Sequence, residues 1–441
     1  MASAPPTVDD TALRQAGRAV MRNLGWLAAS RGVLAVLSLF YLGIAARSLG
    51  VTGFGRFALV AGASQALATL VAFQSWKVVV QYGVGLVRSG DDERLARLFK
   101  GAALLDLFSA ILGSLLAMLI LEFWSEALGI GATLKRATLI FVFVQVLTIR
   151  STPLGMLRLR DRFPAAAFAD SMTAITRFAG AIVVALAHPT VQGFMVAWGV
   201  AEVATAAAYW IAVARNGDLR LLLRGREPLL LLREHPGIVG FAVSTNANST
   251  LALGSKQVPL LAVGAVLGPA AAGAFRLAAQ LAQALAKFSQ LVSRAAFSEV
   301  VRAVRDAERA AVRLLLVRAV GVSLLGGLLV MTVVAALGDP VLRLIAGREV
   351  PGAFPILLVM AAAGCTEFAG TVFDTVMTAR DEAGLVFLIR CLGLVLVAAI
   401  AWAAMPFLGA AGMGMAVLGG SVASVLMLAG ASWWRLRPER R

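Results

Sequence analysis

Seven basic and five acidic side chains fall inside stretches of this chain that are otherwise apolar enough to cross a membrane. The cations are Arg31, Arg150, Arg177, Lys256, Arg276, Lys287 and Arg390, and the acids are Asp106, Asp170, Glu202, Glu367 and Asp374. A charge held at mid-bilayer costs about 3 kcal/mol on insertion scales, so each must pair, reach the interface or face water. Arg31, Lys287 and Arg390 lie within about six residues of a cytoplasmic end and can snorkel. Arg276 starts near the outer face, whereas Arg177 and Lys256 sit deeper, and Arg150 precedes Pro153 by three residues. Asp170 and Arg177 are seven apart and share a helix face, as do Glu367 and Asp374. The surplus of cations predicts a water-filled, positively charged cavity, suited to an anionic cargo such as a phosphate or uronate. Arg31, Arg150, Arg177, Lys256 and Arg276 are the expected cavity cations, and Glu202, Glu367 and Asp374 the candidates for carrying a coupling ion.

Other chemistries find no support in the residues. No G-x4-G-K-[ST] phosphate loop occurs. His188 and His235 each precede a proline in a connecting segment, which suits loop residues rather than metal or catalytic ligands. Cys365 and Cys391 lie inside apolar runs with no disulfide or metal spacing. The expectation is therefore a non-enzyme with no cofactor, no metal and no catalytic residue.

The elements that must position those charges follow from composition. Sixty per cent of the 441 residues are apolar and 15% charged, with a mean hydropathy of +0.85, where soluble domains carry about a quarter charged residues. Apolar runs of membrane-crossing length predict spans near 24–46, 56–76, 101–121, 137–157, 164–187, 191–213, 238–264, 270–292, 314–337, 354–378, 384–405 and 409–433. The net charge of +16 is a matter of topology, not of nucleic acid. With the N-terminus inside, 27 of the 40 basic residues fall in cytoplasmic segments and six on the opposite side, as the positive-inside rule requires. Both termini are then cytoplasmic. The polar first residues lack the parts of a signal peptide, so the first apolar run is expected to stay as an anchor. The Leu- and Arg-rich stretch from Arg215 to Gly237 reads as an interfacial segment on the inner leaflet.

A repeat organises the spans. LGVTGFGRF begins at Leu49 and LGPAAAGAF at Leu267, 218 positions later, each following the first span of a half. Gly50 and Gly268 suit a helix end with positive φ, and Gly55 and Gly273 suit a close helix approach. A charged segment follows the second span of each half, and Arg160-Asp161 and Arg380-Asp381 close the fourth. Pro153 and Pro259 should bend spans four and seven. The predicted fold class is an all-α polytopic membrane protein, about 12 transmembrane helices in two six-helix pseudo-symmetric lobes around a central cavity. Its parts are a tail at 1–23, an N-lobe at 24–213, a linker at 214–237, a C-lobe at 238–433 and a basic tail at 434–441.

The stretch RNLGWLAASRGVLAVLSLFYLGIAARSLGVTGFGRFAL, with PLGMLRLRDRF, LGPAAAGAFRLAAQLAQAL and VLRLIAGREVPGAFPILLVMAAAG, resembles polysaccharide-lipid flippases of the Wzx type. These belong to the multidrug/oligosaccharidyl-lipid/polysaccharide (MOP) exporter superfamily. The resemblance runs from about residue 20 to 430 and departs where Phe297 is followed by Ser298 instead of proline. It implies a bacterial inner-membrane transporter that flips polyprenyl-pyrophosphate-linked oligosaccharide units by alternating access, for O-antigen, capsule or other cell-surface polysaccharide. Implied partners are that lipid-linked substrate, membrane lipids, and a polymerase and glycosyltransferases of the same pathway, with no nucleic acid. A multidrug or cation antiporter of the superfamily is the nearest rival, disfavoured by the basic interior. A lipid II flippase resembles a fourteen-span pattern, and a polymerase or ligase needs a larger external loop than this chain has.

Overall fold

The computed structural model describes residues 10–124, 132–306, 309–379 and 382–435; side chains over 10–33, 287–317 and a few scattered positions lie outside that description. Fifteen helices and no strand occur among the described residues. They are α1 (Asp10–Val71), α2 (Ser75–Ser89), α3 (Asp92–Trp124), α4 (Ala132–Leu147), α5 (Ser151–Leu159), α6 (Phe163–Ala187) and α7 (Val191–Arg215). Two short helices follow, α8 (Asp218–Arg224) and α9 (Leu230–Glu234). The second half holds α10 (Ile238–Lys256), α11 (Val258–Asp306), α12 (Arg309–Ala346), α13 (Ala353–Ala379), α14 (Ala383–Leu408) and α15 (Ala410–Arg435).

Among the described residues ten segments are long and apolar enough to cross a membrane, and two of them are pairs of spans. α1 turns at Gly50 (φ 70°, ψ 173°) and α11 at Gly268 (φ 83°, ψ 176°), which gives twelve membrane legs, six to each half. The expected repeat is thus written in the backbone: the same left-handed glycine conformation recurs 218 residues apart, where a side chain would meet strain. Phe123, Leu186, Trp402 and Phe407 are more than 70% exposed, a surface that belongs to lipid rather than water.

The two glycine turns pack on each other. A methyl placed on Gly55 would stand 1.7 Å from the Pro269 carbonyl oxygen, and one on Gly273 would stand 2.4 Å from that of Val51. Backbone lies directly on backbone there, the close approach that small residues permit between membrane helices. The largest core cluster surrounds this crossing and draws on both halves. Phe57 packs on Trp198 at 4.8 Å and on Phe194 at 6.1 Å, and Tyr41 meets Trp198 edge-on at 5.0 Å. Phe275, Ala278, Val334 and Leu357 complete it from α11, α12 and α13. Arg47 ties the same end further by donating from Nε to the Ile345 carbonyl at 3.2 Å and from Nη2 to that of Leu344. A cation thereby sits on the last turn of α12, where the helix dipole is negative.

Both expected proline effects occur. Span four is broken at 148–150, ahead of Pro153, and span seven at Gln257, ahead of Pro259. One unexpected break lies at 72–74, between α1 and α2. Arg160 and Asp161 do close α5, with Asp161 at φ 56°, while their expected counterparts Arg380 and Asp381 lie outside the described residues.

At the other end, α8 and α9 dock on the first half. Lys100 Nζ donates to the Gly225 carbonyl at 2.8 Å, Arg97 pairs with Glu234 at 2.9 Å, and Arg160 with Asp218 at 3.1 Å. Leu231 is buried against Gly101, while Leu223 and Leu229 stay exposed, as a segment lying along a bilayer surface requires.

Two predictions follow from this packing. Gly273→Leu should displace the paired turns and lower the thermal unfolding midpoint of the detergent-solubilised protein, whereas Gly384→Leu, with open space around it, should leave it unchanged. Burial pushes the Asp218 carboxyl above the usual carboxylate range, although Arg160 draws it down. Docking therefore penalises the ionised form, so this group's contribution is fully present below the ordinary aspartate range and is lost as pH rises through the raised value. Protection factors over 218–224, taken against the intrinsic exchange rate at each pH, should rise on acidification into that window, and Asp218→Asn should abolish that rise.

Candidate functional site: an intramembrane arginine cluster and two polar clefts

Glu202 on α7 is 1% exposed, and two cations hold it. Arg177 Nη2, from α6, donates to Oε1 at 2.5 Å. Arg150, from the break before α5, brings Nη2 to 2.8 Å from Oε2, an ion pair without an aligned hydrogen bond. The Arg177 guanidinium also lies 4.0 Å above the Trp198 ring and donates at 3.4 Å to the Tyr41 hydroxyl. Cation–π stacking in a desolvated site adds about 2 kcal/mol. Arg276, from the second leg of α11, comes within electrostatic range of Tyr41 and Arg177. Two guanidiniums thus hold one carboxylate, and a third, Arg276 from the other half, lies within range of one of them.

The local backbone explains this assembly. Arg150 sits at φ −124°, ψ −18° as the cap before α5, so its side chain leaves from a non-helical residue at membrane depth. Asp106, reaching over from α3, takes up the freed donors: the Thr152 amide bonds it at 2.9 Å and the Thr152 hydroxyl at 2.7 Å. A carboxylate on a half-helix N-terminus satisfies both the orphan amides and the dipole. Asp170 accepts from the Tyr209 hydroxyl at 2.5 Å. Asp170 and Arg177 share a face of α6 as expected, and each finds its partner on α7.

Two cleft regions open, one in each half. In the first half one of about 330 Å³ is lined by Gln65, Asp106, Gln145, Arg150, Asp170 and Tyr209, among others. In the second half, clefts of about 350 and 290 Å³ both carry Lys256 and Glu367. Ser421 donates to Glu367 at 3.3 Å, and Arg390 pairs with Asp374 rather than snorkelling away.

The sequence-derived set therefore does not share one chamber. Arg150 and Arg177 meet at Glu202 with Arg276 near Arg177, Lys256 belongs to the second-half clefts, and Arg31 lies on α1 outside the residues whose side chains are described. Of the three acids, Glu202 is the counter-ion of the arginine cluster, Glu367 faces Lys256's clefts and Asp374 holds Arg390. Tyr41, Trp198, Gln65 and Gln145 escaped the reading because they are uncharged. The signal for the two glutamines was present, since an amide inside an apolar run must find partners.

Glu202→Gln should strand the largely buried Arg177 guanidinium, with the partly exposed Arg150 beside it, and destabilise the protein by about 3 kcal/mol, since removing one partner of a buried pair exposes the other's desolvation cost. Adding Arg177→Met should recover part of that loss. A thermal or denaturant unfolding cycle over the single and double variants checks the coupling.

No known protein-family model matches the chain. It is similar to "Inner membrane protein YghQ" of Escherichia coli (strain K12), with 27% identity over 287 residues that cover 65% of this chain and 81% of that protein. Its backbone superposes on a structure described as the inward-facing conformation of a multidrug resistance MATE family transporter of the MOP superfamily, with a TM-score of 0.73 and 14% identity over 92% of this chain and 94% of that one. It superposes also on "Lipid II flippase MurJ, inward closed conformation", with a TM-score of 0.71 and 12% identity over 91% and 86% of the two chains. At these identities the likeness establishes the fold alone: this multi-pass membrane protein is built as MOP-superfamily transporters are.

Proposed function

We propose that the protein is a flippase of the bacterial inner membrane, moving polyprenyl-pyrophosphate-linked oligosaccharide from the inner to the outer leaflet for cell-surface polysaccharide assembly. The observation that carries this reading is the cluster in which Arg150 and Arg177 share the single carboxylate of Glu202 while Arg276, from the other half, lies within electrostatic range of Arg177. One acid cannot neutralise three cations, and the surplus positive charge at membrane depth is matched by a pyrophosphate head group, whose oxygens take guanidinium forks. Fold likeness to a lipid II flippase and sequence likeness to an inner-membrane protein support the class and the location.

The two sets of six spans, 24–213 and 238–433, act as the rocking units of alternating access, with both termini cytoplasmic. The Gly55–Gly273 crossing closes the outer end, so the head group enters from the inner leaflet while its polyprenyl tail stays in lipid. Lys256 contributes a further cation from its own clefts, and Glu367 and Asp374 are the carboxylates placed to carry a coupling ion. A multidrug antiporter is the second reading, favoured by the likeness to a MATE transporter and by the acidic side chain of Glu367 in an open cleft.

Reconstituted vesicles holding a fluorescent polyprenyl-pyrophosphate glycan separate the two. Wild type should move the label across, Arg177→Ala should slow it at least tenfold, and Arg177→Lys should recover only part, because lysine offers a point charge and no fork. Active export of an organic cation that is insensitive to Arg177→Ala, with no glycolipid movement, would overturn the proposal.

A further inference from the structure

Two membrane helices break side by side in the first half, and the duplication does not account for it. The span made of the second leg of α1 and α2 is interrupted at 72–74, and that of α4 and α5 at 148–150. The breaks are stitched together, with the Trp76 amide donating to Ser151 Oγ at 3.1 Å and Thr152 Oγ1 lying 3.4 Å from Ser75 Oγ. At the matching positions of the second half, 290–292 and 366–370, α11 and α13 run on as helix. Non-helical backbone at membrane depth is tolerated only where it is buried in protein or lines a polar cavity, and paired interruptions mark binding sites in transporters. These two border the 330 Å³ cleft.

The polar lining identifies what would fit. Gln145 is 7% exposed, donates through Nε2 to Gln65 Oε1 at 3.2 Å, and leaves its own Oε1 buried without a partner. Asp170 lines the cleft with a carboxylate that takes a hydrogen bond from Tyr209, and Arg150 adds guanidinium donors to the same lining. The Trp76 and Thr152 amides at the new helix starts are already bonded, so no cradle of free N–H groups awaits an anion. No group of three metal-ligating side chains occurs among the described residues. Acceptors and donors both line the cleft, and a hydroxyl is the ligand group that donates once and accepts twice.

We infer that this first-half cleft binds a neutral, polyhydroxylic group, a sugar residue, with Gln145 and Asp170 as hydroxyl acceptors and Arg150 as donor. Its volume lies at the small end of ligand pockets, about 300–1,000 Å³, which suits one sugar ring. The inference rests on the proposed function only for how a sugar would be presented. With that function, it divides the head group between two neighbouring sites, phosphates at the arginine cluster and sugar at the breaks, with Arg150 bordering both.

Saturation-transfer NMR on the full chain in lipid nanodiscs tests it, with the methyl glycosides of glucose, galactose and N-acetylglucosamine as probes and inorganic pyrophosphate as competitor. At least one glycoside should receive saturation, persist under pyrophosphate, and lose at least fivefold of its signal in Gln145→Leu and in Asp170→Asn. An unchanged unfolding midpoint for either variant ensures that the loss is local. No glycoside signal, a signal indifferent to both substitutions, or its displacement by pyrophosphate would overturn the inference. Glycolipid movement in vesicles without glycoside binding would sink this inference and spare the flippase reading, and glycoside binding without glycolipid movement would do the reverse.

Discussion

The fold depends on one place where two backbones touch with nothing between them. Gly55 lies against the Pro269 carbonyl and Gly273 against that of Val51, so the first two legs of one half interlock with those of the other. In lipid there is little hydrophobic drive for helices to associate, and close van der Waals contact must supply it. Two side-chain-free positions provide that contact, and the aromatic cluster of Tyr41, Phe57, Phe194, Trp198 and Phe275 can then close around it. Arg47 reinforces the same end by capping α12. The two halves meet chiefly through α1 and α11, and each half keeps polar clefts of its own.

That space is shaped by the cost of charge in a low-dielectric interior. Every acid in a membrane leg has found a donor: Asp106 takes the start of α5, Asp170 the Tyr209 hydroxyl, Glu202 two arginines, Glu367 Ser421 and Asp374 Arg390. The cations are less completely answered, because Arg150 and Arg177 share a single carboxylate with Arg276 close to Arg177. Stacking on Trp198 softens the imbalance without removing it. The neighbouring cleft has a different character, with amide and carboxylate acceptors exposed by the broken helices.

Much of the architecture was legible in the residues. The spans came from run length, the repeat from LGVTGFGRF and LGPAAAGAF, and both proline breaks from Pro153 and Pro259. The matching φ and ψ of Gly50 and Gly268 are the physical form of that repeat. The charged members of the site were legible too, because a charge in an apolar run is rare and conspicuous. Their grouping was not: Asp170 and Arg177 share a face, yet each bonds across to α7. The break at 72–74 carries no proline, and it exists because its polar groups are satisfied by residues some 75 positions away, such as Ser151.

The sequence by itself determined what kind of molecule this is and which side chains had to be explained, since hydropathy, glycine geometry and charge cost are local properties. The tertiary structure alone decided the partners. Whether Arg177 meets Asp170 or Glu202, whether Lys256 joins the arginines or stands apart, and which neutral amides face a cleft all depend on how helices distant in sequence rotate against one another. Periodicity fixes which face of a helix a residue occupies, but only packing fixes what that face meets.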